Sequence, residues 1–262
     1  MRDMKTLIKL LLNSFTLVLA LAFNYLSNTD LLSERTVGEI SDKYQTVITP
    51  AGYAFSIWGL IYLLLILFVL YQWIMWRRKG EIFIIEKTGY FFALSNVVNA
   101  LWVVVWVNEL IVVSLILILL LLVFLYAIVK RLDLEKWDAA APVILFVWWP
   151  ISIYFGWVIL ATVLNVLIFL VSIGYDEWLL GANGWGFLLL TISTAVYLYF
   201  LYSRNLRESA VVGVWGFSAI AVAQFQTNRA ISIVSIIGAI FLLVNVVYHA
   251  FRNRAFSAIR RA

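Results

Sequence analysis

PVILFVWWPISIYFGWVILATVLNVLIFLVSI, residues 142–173, runs without a single charged side chain. A helix needs about 20 apolar residues to cross a bilayer. This stretch therefore reads as a span with length to spare, enough to tilt or to include an interfacial turn. Pro150, Tyr154, Trp157, Ala161 and Asn165 interrupt it, and at 100° per residue they share an arc of about 80°. An unpartnered amide in hydrocarbon costs roughly 2–7 kcal/mol. A stripe of amide, aromatic and small residues thus belongs to a helix interface or a pocket wall, not to a lipid face.

The remainder of the chain has the same character. Of 262 residues, 65% are hydrophobic and 13% charged, and the mean hydropathy is +1.00, well outside the range of soluble domains. Further windows of span length cover Leu7–Tyr25, Gly52–Trp76, Gly89–Val107, Ile111–Val129, Trp185–Tyr202, Val211–Phe225 and Ile231–Ala250, the sixth of these being short. Only three prolines occur, so long helices are easily built. The expected fold is all-α, a polytopic membrane protein of about eight transmembrane helices.

Basic residues set the orientation. With the N-terminus inside, the inner segments carry Arg2, Lys5, Lys9, Arg77, Arg78, Lys79, Lys87, Lys130, Arg131, Lys136, Arg204, Arg207, Arg252, Arg254, Arg260 and Arg261. The outer ones carry only Arg35, Lys43 and Arg229. The net charge of +5 is then a topology signal and calls for no nucleic acid. Both termini are expected in the cytoplasm, in a bacterial cell membrane. Lys-containing residues 2–9 followed by Ala20-Leu21-Ala22 resemble a cleavable leader, but Asn13, Ser14, Thr16 and Asn24 make the first stretch more polar than a leader core, which favours a retained span. The chain has no cysteine, so disulfides and thiolate chemistry are excluded. Trp73, Trp76, Trp137, Trp178, Trp185 and Tyr202 sit where interfacial belts form.

Two more helices carry stripes. Phe55, Trp58 and Tyr62 fall within about 60° on the second, and Asn96, Asn99, Trp102 and Trp106 within about 120° on the third. Each stripe could be core packing, with asparagines joining helices at about 0.6 kcal/mol apiece. So many tryptophans beside amides fit a shared pocket better. Indole and phenol rings offer stacking faces, and amides orient a polar edge.

These stripes also resemble the TspO/translocator protein family, the tryptophan-rich sensory proteins. Pro50, Phe55, Trp58 and Tyr62 are placed similarly to the Pro, Phe, Trp and Tyr that open that family's second helix. Asn99 and Trp102 match its Asn-x-x-Trp, and Pro150, Tyr154, Trp157, Ala161 and Asn165 its fifth-helix pattern. The resemblance implies a five-helix bundle over residues 1–174, followed by a three-helix extension over 175–262 without counterpart in five-helix members. Two motifs depart from the family: Trp102-Val103-Val104 replaces Trp-Ser-Pro, and Val166-Leu167-Ile168-Phe169 lacks the Tyr and basic residue of a cholesterol-type segment. Val123 to Lys130 fits the loose cholesterol pattern.

The resemblance implies a planar hydrophobic ligand of porphyrin type, for sensing or transport. The expected ligand-binding residues are Phe55, Trp58, Tyr62, Asn99, Trp102, Tyr154, Trp157, Ala161 and Asn165. The cavity should open toward an outer lid, Ser27 to Thr49, which includes Asp30, Ser41 and Lys43, and Ser41 should be reachable from outside. No nucleophile–base pair, phosphate loop or metal cluster occurs, so no enzyme activity, metal or cofactor is expected. Glu109, Asp176 and Glu177 fall in outer loops. A secondary transporter is the alternative, although no charge lies well inside a predicted span. A tetrapyrrole-modifying enzyme using a redox-active tryptophan is the third reading. The partners expected are the bilayer, the ligand and a second copy in a homodimer. On the last helices, Gly213, Gly216, Ala219, Ala223, Ser232, Ser235 and Gly238 form small-residue faces for close packing, and His249 is expected to be structural.

Overall fold

The computed structural model describes residues 2–29, 31–78, 80, 82–174 and 179–259. Asp30, Lys79, Asp176, Glu177, Trp178, Arg260 and Arg261 lie outside the described residues. In chain order the helices are α1 (Arg2–Leu26), α2 (Val37–Lys43), a 3-10 turn (Gly52–Ser56), α3 (Ile57–Arg77), α4 (Ile82–Thr88), α5 (Phe91–Val107), α6 (Ile111–Arg131), α7 (Ala141–Val143), a π turn (Ile144–Trp148), α8 (Trp149–Ser172), α9 (Gly181–Arg204), α10 (Arg207–Gln224) and α11 (Arg229–Ile259). Among the described residues, six helices are long and apolar enough to cross a membrane unaided. The pair α4 and α5, bent by 51°, makes a seventh if taken as one span. The bend sits at Gly89, whose φ of +58° suits a residue without Cβ.

The remaining expected span, Val211–Phe225, falls in α10. It forms a helix of 18 residues, about 27 Å at 1.5 Å per residue, but Arg207, Glu208, Ser209 and Gln224 leave it less apolar than the others. The long stretch that opened the sequence reading becomes α7, the π turn and α8 in succession. The surplus of residues is thus absorbed by an over-wide turn next to Pro150, as π turns inserted in α-helices do.

α8 is the axis of the bundle. Over an 18-residue apolar stretch of its span 72% of the residues are buried, against 33% in the corresponding stretches of the other single spans. α3, α6, α9 and α10 all pack against it, so it is apolar on every side, as a helix enclosed by other helices must be. The surrounding helices keep one face for lipid: Leu60, Leu63, Leu70 and Ile74 on α3, and Val112, Ile116 and Leu119 on α6, are exposed.

α1 is tied on by polar bonds, since lipid gives apolar helices no reason to prefer one another. Asn13 Nδ2 donates to Gln72 Oε1 at 3.3 Å and Trp73 Nε1 to Ser14 Oγ at 2.9 Å, while Asn96 Nδ2 donates to Thr16 Oγ1 at 3.3 Å. Asn24 Nδ2 donates to Asn99 Oδ1 at 2.9 Å. The polar residues that set this stretch apart in the sequence are thus the ones that bond α3 and α5.

The C-terminal helices dock through small residues. A Cβ on Gly156 would lie 2.7 Å from Ser209 Cα, and one on Gly216 would lie 2.0 Å from Leu160 Cδ2. Ser209 Oγ donates to the Ser152 carbonyl at 2.6 Å, and Tyr197 Oη to the Gly156 carbonyl at 2.8 Å. On α11, Ser232 Oγ donates to the Ala221 carbonyl at 2.8 Å, and a Cβ on Gly238 would meet the Phe217 ring at 2.7 Å.

Two predictions follow from this packing and from the alternation of helices. Gly156→Ala forces backbone against backbone and should cost about 1–3 kcal/mol; Gly216→Ala meets only the end of a leucine side chain and should cost less. Thermal unfolding in detergent gives the order, and equal or reversed losses would contradict the α8–α10 crossing. For topology, Asp42→Cys and Lys136→Cys, both exposed, should be labelled from opposite sides of the membrane, Asp42 from outside. Labelling of both from one side would overturn the alternation.

Candidate functional site

Trp58, the second residue of α3, sits at the centre of a cluster of rings from three helices. It stacks on Tyr62 with centroids 5.4 Å apart and planes at 21°. The Trp102 ring of α5 lies 6.4 Å away, and Tyr154 and Trp157 of α8 meet Trp58 edge-on at 6.0 and 6.3 Å. Phe55 closes on Trp157 at 6.2 Å, and Trp102 stacks on Trp106 at 5.6 Å. Helical spacing explains the grouping: Phe55, Trp58 and Tyr62 follow one face, as do Trp102 and Trp106, and Trp157, Ala161 and Asn165. Edge-to-face and offset contacts of this kind add about 0.5–1.5 kcal/mol each beyond area burial.

Several polar atoms in this cluster are buried without a hydrogen-bond partner: Trp102 Nε1, Trp157 Nε1, Tyr62 Oη and Asn99 Nδ2. Such groups normally find partners, so their gathering around one aromatic cluster marks a place suited to a polar-edged ligand. The two asparagines are partly engaged. Asn99 accepts from Asn24, and Asn165 Oδ1 accepts from Ser114 Oγ at 2.7 Å while its Nδ2 donates to the Ala161 carbonyl at 2.9 Å.

A small cavity of about 20 Å³ lies inside this ring of aromatics. Phe55, Trp58, Trp102, Trp157, Ala161 and Asn165 line it, together with Val37 and Ser41 of α2. Tyr62 and Tyr154 stand behind Trp58, and Asn99 faces α1. The cavity is of single-water size, far below the 300–1,000 Å³ of drug-sized sites, so anything larger requires the rings and α2 to part.

α2 closes the outer end. Its first turn is fixed by a capping box between Thr36 and Glu39, and the Thr36 backbone N–H holds the Glu39 carboxyl below the usual range. Trp106 Nε1 donates to the Val37 carbonyl at 3.1 Å, and Ser33 Oγ to the Val107 carbonyl at 3.0 Å. Glu109 clasps the segment from the α5–α6 turn: Lys43 and Arg35 pair with it, and Tyr44 Oη donates to it at 2.7 Å. The hydrogen bond from Lys43, then that from Tyr44, hold the Glu109 carboxyl below its ordinary value, and the same bond raises the Tyr44 phenol. Ser41 does not face outward as expected. It is 4% exposed and lines the cavity, because α2 is amphipathic and turns Ile40 and Ser41 inward. Sequence reading also passed over Val37, Leu164 and Ile168; the last two extend the Ala161–Asn165 face at spacings of three and four.

A second cleft lies between α3, α8 and the first half of α10. Its volume is about 460 Å³, and Arg207 and Glu208 sit among otherwise apolar walls. Sequence reading counted Arg207 only as a topology signal and gave Glu208 no role. Among the described residues, no group of three or more His, Asp or Glu could hold a metal ion.

The comparison with protein families gives a match to a family described as TSPO-like protein, over residues 10–248. It runs past Gly174 through α9, α10 and most of α11. Neither the curated proteins nor the solved structures contain a match. With most of its length matched, from the middle of α1 into α11, the chain belongs to the TSPO-like protein family.

Proposed function

We propose that this integral membrane protein binds a planar hydrophobic molecule of porphyrin type between α3, α5 and α8, for sensing or transport. The observation that carries the reading is the cluster of unpartnered donors, Trp102 Nε1, Trp157 Nε1 and Asn99 Nδ2, beside stacked indoles. A flat π-system satisfies both at once, with its faces on the rings and its polar edge on the donors. The TSPO-like family match supports the same reading. With a cavity of about 20 Å³, the arrangement corresponds to a closed form, and α2 is the lid that moves.

Titration of the purified protein with a porphyrin, followed by tryptophan quenching, tests this. Binding should be micromolar or tighter, and Trp157→Ala and Asn99→Ala should each weaken it roughly tenfold, since a lost buried hydrogen bond costs about 1–3 kcal/mol. Trp76→Ala, at the opposite end of α3, should leave it unchanged. Equal effects of all three, or no quenching, would reduce the cluster to a packing interface.

The lid makes a pH prediction. Glu109 has a lowered folded pKa, so its pairing with Lys43, Tyr44 and Arg35 stabilises the closed lid above the unfolded carboxylate value of about 4.3. That contribution is lost as pH falls through the folded value. The protection of residues 37–44 against hydrogen exchange, taken relative to the intrinsic rate at each pH, should therefore fall as the pH drops below the ordinary carboxylate range, and Glu109→Gln should produce the same loss at neutral pH. Exchange unaffected by either would mean that packing of Ile40 alone holds α2.

A further inference from the structure

Asn24 stands in the last turn of α1, half-buried beside α5. Its Nδ2 donates twice, to the Ala20 carbonyl at 2.9 Å and to Asn99 Oδ1 at 2.9 Å. These two bonds fix the rotation of both amides. A backbone carbonyl can only accept, so the atom that Asn24 turns toward Ala20 must be its nitrogen. That nitrogen carries a second hydrogen, and the atom of Asn99 that receives it must be the oxygen. The other end of the Asn99 amide, Nδ2, is left over and is buried without a partner. Turning Asn99 by half a rotation would set nitrogen against nitrogen and lose the bond to α1.

The rest of the aromatic cluster is sorted in the same way. Trp102 and Trp157 leave their Nε1 hydrogens unpaired, and an indole nitrogen is a donor only. Asn165 has its Oδ1 engaged by Ser114 and its Nδ2 by the Ala161 carbonyl. The hydroxyls of Tyr62 and Ser41 can donate or accept, so they do not discriminate. Both asparagine oxygens at the cluster are therefore taken, that of Asn99 by Asn24 and that of Asn165 by Ser114. Among the described residues, the other side-chain atoms left unpartnered there are nitrogen donors.

We infer that Asn24 is a specificity-determining positioning residue for this site. By holding Asn99 with its oxygen toward α1 and its nitrogen unspent, it restricts the site to planar molecules whose polar edge accepts hydrogen bonds. The inference rests on the ligand reading given above. A carbonyl or ester oxygen on the edge of the ring system pairs with the donors of Asn99, Trp102 and Trp157. An edge bearing only alkyl groups leaves those buried donors unpaired, and a site built around buried polar groups rejects a molecule that cannot answer them. Asn24 touches no ligand in this arrangement; it acts through Asn99.

The test compares two porphyrins on the full chain in nanodiscs, by tryptophan quenching corrected for partition into empty discs. One carries two methyl-ester side chains, the other alkyl chains of matched length. The parent protein should bind the diester at least about tenfold more tightly than the alkyl compound. Asn24→Ala should cut that ratio to about threefold or less and leave the affinity for the alkyl porphyrin as in the parent. Asn99→Ala should cost the diester much less in the Asn24→Ala background than in the parent, because both changes act on one amide. If Asn24→Ala does not fold, the side-chain amide resonances of the parent decide: the Asn99 N–H2 signals should shift with the diester and stay in place with the alkyl porphyrin. Equal binding of the two porphyrins, an unchanged ratio in Asn24→Ala, or Asn99 signals indifferent to the diester overturns the inference while the ligand reading stands. A parallel loss of both porphyrins in Asn24→Ala also overturns it, leaving Asn24 as a bond between α1 and α5. Quenching by neither porphyrin overturns the ligand reading itself, and the inference with it.

Discussion

The enclosure of α8 by other helices is the constraint on which the rest of the bundle depends. In a bilayer an apolar helix gains nothing by leaving lipid for protein except closer packing and polar bonds. α8 obtains both. On one side its tryptophan and tyrosine interlock with rings of α3, and on another its glycine lets a neighbouring backbone come within contact distance. Remove either and lipid competes for the same surface on nearly equal terms.

Because one helix serves both sides, the aromatic cluster and the C-terminal helices are mechanically joined. Trp157 faces Trp58, whereas Gly156, one residue earlier and a quarter turn round, faces Ser209. Trp215 of α10 reaches the Ala54 carbonyl just before α3, and the Ala51 N–H bonds the Ala219 carbonyl. The chain that leads from the lid into α3 is therefore braced by α10. Contacts of this kind join residues on either side of position 174, and the family match covers both sides of it.

Much of this was legible in the sequence. Helical periodicity put Phe55, Trp58 and Tyr62 on one face, and the cost of burying amides marked Asn99 and Asn165 as inward. Periodicity gives the face of a helix but not what stands opposite, so nothing in the sequence indicated that Asn99 bonds Asn24 or that Asn165 bonds Ser114. Hydropathy found the long spans and undervalued α10, whose charged first turn pairs with a loop far away in sequence. The same blindness to non-local contacts hid Ser41: a short amphipathic helix in a polar loop looks solvated until a groove for it exists. The π turn in residues 144–148 was only implied, as excess length without a place to go.

The shared helix has a consequence for how the protein is made. Helices enter the membrane in the order of synthesis, and α8 precedes α10 by more than thirty residues. Until α10 arrives, the groove at Ser152 and Gly156 faces lipid, and Glu135 waits at the membrane surface without Arg207. The nascent chain thus passes through a stage in which its central helix is peripheral and a carboxylate stands unpaired, and the last three helices convert that intermediate into an enclosed bundle. Completion of the chain, and not insertion of the first spans, is what locks the aromatic cluster in register.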